Sequence, residues 1–185
     1  MHFITHPEVV IDPGVPVPRW VLSPRGIARM RALAALPEMA SLASIWASTE
    51  AKAIEGAGIL AARLGLPVHV HPGLGENDRS ATGYLPEAEF QQVADAFFAQ
   101  PETSIRGWER AIDAQSRIAA AITDVLSAAP PGPVAVIAHG GVGALLRAHL
   151  SRAPIARSWD QPQPGCRFTA QPGEPPSAWI PLPPA

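Results

Sequence analysis

Short apolar runs alternate with longer stretches in which apolar side chains recur every three or four residues, which predicts strands joined by helical crossovers into a mainly parallel sheet. His2–Thr5 reads as the first strand. After the proline-rich segment DPGVPVP, Ser23-Pro24 offers an N-cap and a proline for the first helical position, and Ile27, Met30, Leu33 and Ala34 recur at helical spacing. That helix should stop before Pro37. Ser44–Ala47 (SIWA) reads as a second strand. From about Glu50, the residues Ala53, Ala57, Leu60 and Leu64 share one face of a helix that ends at Gly65 and Pro67.

Residues 68–71 suit a third strand, and Gly73, Gly75, Asn77 and Asp78 then mark an irregular loop. Two helices follow, the first carrying Phe90, Val93, Ala94, Phe97 and Phe98. The second starts near Trp108 and turns Ile112, Ala119, Ile122 and Leu126 inward before Pro130-Pro131-Gly132 ends it. Val134–Ala138 (VAVIA) is apolar at every position, as a strand covered on both faces requires, and it leads through His139-Gly140-Gly141 into the helix VGALLRAHL. The tail is rich in proline and glycine, with a closing hairpin expected around Cys166–Thr169 and residues 178–180. The chain has no internal repeat or interdomain linker, and the expectation is one three-layer α/β/α domain over residues 1–185.

At 185 residues with 47% hydrophobic content, one sizeable core is within reach. Fourteen Lys and Arg against sixteen Asp and Glu leave a net charge of -2 with no basic stripe, which argues against nucleic acid as a partner. No run approaches the roughly 18 apolar residues that span a bilayer, and the N-terminus lacks a signal pattern, so no membrane association and a cytoplasmic location are expected. The single cysteine, Cys166, builds neither an internal disulfide nor a zinc site, and no metal or cofactor is expected.

In open parallel sheets, ligands gather beyond the carboxyl ends of the strands. His6 follows the first predicted strand. His139 follows VAVIA, just ahead of a helix whose amides suit an anion. An imidazole attacks phosphorus when one ring nitrogen carries a lone pair and the other is held by a partner, and a second histidine can hydrogen-bond the transferring oxygens.

Five segments in order resemble the histidine phosphatase superfamily, the phosphoglycerate mutase-like proteins: FITHPEVVID; LSPRG; SIWASTEAKAIEGAGILAARLGLPV; Leu74-Gly75-Glu76; and VIAHGGVGALL. The likeness spans roughly residues 2–150. It implies a phosphoglycerate mutase-like fold with a small cap or specificity insertion at about 76–108. It also implies that His6 accepts the phosphoryl group, that His139 is the second histidine, and that Glu76 protonates the leaving alcohol, with Asp78 as the alternative donor. Lys52 takes the phosphate-clamping position, while Thr5 and Gly140 flank the two histidines as further phosphate contacts. Arg25, Arg79 and Ser80 are additional polar candidates.

The chain departs from that pattern at Thr5, where the family has arginine; at Pro7, where it has glycine; and at Asp12, commonly asparagine. Thr5 brings no positive charge and Pro7 no N–H, so Arg79 or Arg25 is expected to compensate. The implied activity is phosphomonoester hydrolysis through a phosphohistidine, on a small phosphorylated metabolite or a phosphoprotein. The alternative is a catalytically impaired binder of a phosphorylated ligand or partner. Mutase-type phosphotransfer is disfavoured because the chain is shorter than the glycolytic mutases.

Overall fold

The computed structural model describes residues 1–185. Six strands form one mixed sheet: β1 (His2–Thr5), β2 (Ser44–Ala47), β3 (Val68–Val70), β4 (Val134–Ala138), β5 (Cys166–Thr169) and β6 (Ile180–Pro181), in the order β3-β2-β4-β1-β5-β6. The four strands β3, β2, β4 and β1 are parallel, β5 pairs antiparallel with β1, and β6 pairs antiparallel with β5. Five helices accompany the sheet: α1 (Pro24–Ala34), α2 (Ala51–Leu64), α3 (Glu87–Ala99), α4 (Ala111–Ala128) and α5 (Gly140–Leu150).

Alternation along the strands divides the core. Ile4, Ile45, Ala47, Ala135 and Ile137 face one side and pack with Met30 and Leu33 of α1 and Ala53, Ala57 and Leu60 of α2. Phe3, Val134, Val136 and Ala138 face the other, against Ile118, Ile122 and Val125 of α4 and Val142 and Leu146 of α5. The result is the three-layer α/β/α arrangement of a phosphoglycerate mutase-like fold. Every residue of β4 is buried, as its unbroken apolar run requires. A third cluster joins Val93, Phe97 and Phe98 of α3 to Trp108 and to Ala144 and Leu145 of α5.

Local chemistry sets the element ends. The Ser23 hydroxyl accepts the Gly26 N–H at 3.1 Å, capping α1 with Pro24 in its first turn. Gly65 ends α2 at φ 69°, a left-handed conformation that glycine adopts without a Cβ penalty.

Two boundaries and one buried face differ from the sequence-based expectation. β3 stops at Val70, because His71 caps a short 3-10 turn by accepting the Gly73 N–H at 3.1 Å. α4 begins at Ala111, not Trp108, since Gly107 (φ 82°) and the extended backbone at Trp108 and Arg110 keep the chain out of helix until then. The inward face of α4 is also rotated. Ile112 and Leu126 are exposed, while Ala111, Ala114, Ile118, Ala121, Ile122 and Val125 are buried. In the sheet, the tail hairpin pairs Cys166 with Pro181 and Arg167 with Ile180. No helix is long and apolar enough to cross a membrane.

Candidate active site

Neighbouring parallel strands bring three side chains to one level. Thr5 pairs with Ala138 and Ala47 with Ile137, while the His6 and Ser48 amides donate to the carbonyls of Ala138 and Ile137. His6, His139 and Ser48 therefore emerge together at the carboxyl rim of β1, β4 and β2. The imidazoles of His6 and His139 meet edge to face with centroids 5.2 Å apart.

The two rings are held differently. His6 Nδ1 lies 2.9 Å from the Pro7 carbonyl oxygen. A carbonyl only accepts, so Nδ1 carries the proton and the lone pair is on Nε2. Burial and the nearby charges of His139 and Lys52 push the His6 pKa down to about 3, leaving the ring neutral at pH 7. His139 is fully buried, with Nε2 2.7 Å from Ser48 Oγ and 3.2 Å from Glu50 Oε1. Its pKa is lowered by burial, against the opposing pull of Glu50 and Glu76. Its Nδ1 is buried with no partner, an orphan donor or acceptor beside the His6 ring.

Lys52 lies one residue into α2 and is 3% exposed, its Nζ bound to Glu50 Oε2 at 2.5 Å and to the Val17 carbonyl at 2.9 Å. Glu50 thus bridges Lys52, His139 and, through Oε1, the Glu76 N–H at 3.0 Å. Burial pushes its carboxyl pKa up, but the charges of His139 and Lys52 overcome this and hold it at about 2. Sequence reasoning noted Glu50 only as a helix start. The available signal was its place between Ser48 and Lys52 at a strand-to-helix junction on the ligand side of the sheet.

Glu76 follows β3 and reaches α5, where its carboxylate accepts the N–H groups of Gly141 at 3.0 Å and Val142 at 2.9 Å. Gly141 permits this approach, because a Cβ there would lie 2.8 Å from Glu76 Oε1. Against the upward push of burial, Arg79, His139 and the Gly141 amide hold the Glu76 pKa below the usual range. A proton donor requires a raised pKa, so this direction is opposite to what that role demands. In the unliganded site Glu76 is an ionised cap on the helix amides, leaving the first amide of α5, on Gly140, without a helical acceptor. Arg117, missed from the sequence, fixes the loop by donating to the carbonyls of Gly73, Gly75 and Glu76.

Thr5 also needs correction. It is fully buried, its hydroxyl donates to Gln161 Oε1 at 2.6 Å, and it accepts the Cys166 N–H at 2.9 Å, so the oxygen and proton serve the protein rather than a free anion contact. Arg25 lies apart from the cluster, 73% exposed at the side chain and paired with Glu8 at 3.3 Å. Arg79 does reach the site, 3.9 Å from Glu76 Oε2 and stacked over Phe90 and Trp108. Asp78 is exposed and accepts the Ser80 N–H at 2.8 Å. Asp12 is an exposed loop residue accepting the Gly14 N–H at 2.9 Å.

Beside the histidines opens a cavity of about 670 Å³, between the loop of residues 13–18, Thr49 and Glu50 on one side and residues 75–80 with Tyr84 on the other. Glu50 and Glu76 line it and the imidazoles do not, so these carboxylates stand between the cavity and the histidine pair. Chemically, the arrangement brings together a neutral imidazole with a lone pair on Nε2, a second imidazole, a buried ammonium and helix amides, the last two held by Glu50 and Glu76.

A model of the histidine phosphatase superfamily (branch 1) matches residues 16–171. The chain belongs to this superfamily. The match begins after Thr5-His6-Pro7, the segment that departs most from the family pattern. No curated protein matches the sequence. Among solved structures, one described as mycobacterial hydrolase 1 superposes with a TM-score of 0.78 at 20% identity, covering 100% of this chain and 98% of that one. The mycobacterial glucosyl-3-phosphoglycerate phosphatase gives a TM-score of 0.73 at 22% identity over 91% of this chain and 88% of that one. The α-ribazole phosphatase of Shigella flexneri gives 0.65 at 19% identity, covering 93% and 92%. These likenesses show a shared fold, and membership of a superfamily of phosphatases makes this chain an enzyme of the phosphatase type.

Proposed function

We propose that the protein hydrolyses phosphomonoesters through a phosphohistidine on His6. The observation that carries this reading is the ring pair: His6, proton-bearing at Nδ1 and neutral, edge to face with His139 at 5.2 Å. His6 Nε2 attacks phosphorus as the ester P–O bond breaks, and the departing oxygen takes a proton from Glu76. Water then loses a proton to the Glu76 carboxylate, attacks the phosphohistidine and releases phosphate, returning His6 to its neutral form.

The ionised Glu76 of the resting site fits this cycle if substrate changes its surroundings. A phosphoryl dianion competes for the α5 amides that now hold the carboxylate, and its negative charge raises the Glu76 pKa. With its pKa raised, Glu76 takes up a proton from solvent before the P–O bond breaks, and substrate thereby creates the acid that protonates its own leaving group. Residues 76–108 we take as the specificity insertion over the cavity, with a small phosphorylated metabolite or a phosphoprotein as substrate.

A second reading is favoured by one observation. Glu50 holds the Lys52 ammonium and Glu76 holds the helix amides, so the chain's own carboxylates occupy groups that suit phosphate. With Thr5 in place of the arginine, this supports an impaired phosphatase that binds a phosphorylated ligand or partner.

Assay of the purified protein and His6→Ala on aryl phosphate and a broad ester panel separates the two readings. Turnover by the wild type alone, with an acid-labile, base-stable phosphoprotein trapped only in the wild type, supports hydrolysis. Equal inertness of both proteins, with phosphate or vanadate still bound, supports the binding reading.

A further inference from the structure

Thr5 stands immediately before His6, where the family has arginine, and its hydroxyl is tied to a side chain 156 positions away. Thr5 Oγ1 receives the Cys166 N–H at 2.9 Å and donates to Gln161 Oε1 at 2.6 Å. That bond turns the carboxamide so that its oxygen faces Thr5 and its NH₂ faces away. The NH₂ arrives over the residue after the second histidine: a Cβ on Gly140 would lie 2.5 Å from Gln161 Nε2. Gln161 therefore spans from the residue before His6 to the residue after His139, whose rings are 5.2 Å apart. Its Nε2 protons have no protein acceptor, since the side chain bonds only through Oε1.

The loop that delivers Gln161 is braced. The Gln161 N–H donates to Asp160 Oδ1 at 2.8 Å, and Asp160 pairs with Arg157 at 3.3 Å. A donor held this way approaches a phosphoryl oxygen without reorganising, which makes preorganised donors effective.

We propose that Gln161, oriented by Thr5, is a phosphoryl-binding residue that supplies from the C-terminal loop a neutral hydrogen bond in place of the absent arginine contact. The proposal rests on the reading of the His6–His139 hollow as a phosphoryl site. A carboxamide provides direction without charge, so it replaces the geometry of the arginine and not its electrostatic strength.

The test is orthovanadate binding by calorimetry on the full chain, with thermal unfolding measured alongside. Gln161→Met keeps the volume and removes the donor, and should weaken vanadate about 10- to 100-fold with little change in melting temperature. Gln161→Glu places a carboxylate against the anion and should bind more weakly than Gln161→Met. Thr5→Val, which frees the carboxamide to rotate, should weaken binding by a smaller factor. Gln161→Met binding vanadate as tightly as wild type overturns the proposal, as do equal losses in the Met and Glu variants accompanied by a lowered melting temperature. A wild type that fails to bind vanadate at all removes the phosphoryl-site reading itself, and this inference falls with it.

Discussion

The end of β1 and the end of β4 each present a histidine, yet they are built from different materials. Past His139 the chain turns directly into α5, whose amides supply positive potential from the backbone. Past His6 it enters an irregular segment in which Pro7 has no N–H to offer and Thr5 carries no charge. At the β4 end part of the chemistry is carried by backbone amides, which do not depend on the identity of the side chains that bear them. At the β1 end the groups on offer are side chains, the His6 imidazole and the Thr5 hydroxyl, and the latter is tied to Gln161 of a distant loop.

The largest expected effect separates the two histidines by role. With His6 as the nucleophile, His6→Ala should lower kcat/KM on aryl phosphate by roughly 10⁴-fold or more, as losing the nucleophile of a concerted set does. His139→Ala removes a hydrogen-bonding partner of the transferring oxygens and should lower it by about 10²- to 10³-fold. Steady-state rates of the two variants measured together decide the matter. A greater loss from His139→Ala than from His6→Ala would reverse the assignment.

Acid should distinguish the two ends next, through stability. His6 has a folded pKa of about 3 against an ordinary 6.5. Between those values the unfolded chain takes a proton that the native ring refuses, so stability falls as pH drops from 6.5 towards 3. Glu50, on the β4 side of the site, has a folded pKa of about 2 against 4.5, and its contribution of about 3 kcal/mol is complete above pH 4.5 and lost as pH falls towards 2. Denaturant melts across pH 7 to 3 should therefore show one decline beginning near 6.5 and steepening below 4.5. His6→Asn should flatten the upper part of that decline and Glu50→Gln the lower. A profile unchanged by either substitution would remove both assignments.

The strands and helix ends that position the site were legible because each rests on local chemistry. VAVIA reads as a central strand from its apolar run, Ser23-Pro24 as a cap, and Gly65 as a stop. The buried face of α4 was misread because Ile112 and Leu126 outweigh alanine in any sequence pattern. Ala111 and Ala114 instead pack with Ala144 and Leu145 of α5, so alanines take the buried positions at the start of α4 while Ile112 and, near its end, Leu126 turn outward. His6, His139, Lys52 and Glu76 were found in the sequence and do converge, but their couplings were hidden. Neither Glu50 bridging Lys52 and His139 nor Arg117 clamping the Glu76 loop has a local signature. Gln161 was still less visible, since only the placement of β5 beside β1 brings the C-terminal loop to Thr5.

The smallest effects come from two glycines, one on each side of the site, and they test whether the β1 side is the more rigidly built. A Cβ on Gly26, at the start of α1, would lie 2.2 Å from the Glu8 carbonyl oxygen, in the segment leaving His6. That atom is backbone, and it also receives the Ser23 N–H at 2.9 Å, so relief requires moving α1 away from the chain. Gly26→Ala should destabilise the protein by about 2–3 kcal/mol in urea melts. A Cβ on Gly141 would instead meet the end of the Glu76 side chain at 2.8 Å, and that carboxylate can swing aside. Gly141→Ala should destabilise by less than about 1 kcal/mol, helped by the better helix propensity of alanine. Its effect should appear in the chemistry. Displaced from the α5 amides, Glu76 loses hydrogen bonds that favour its ionised form, so its pKa rises and the limb it contributes to the pH–rate profile moves to higher pH. If Gly141→Ala is as destabilising as Gly26→Ala and leaves the pH profile in place, Glu76 is a rigid structural cap, and the β4 side is built as firmly as the β1 side.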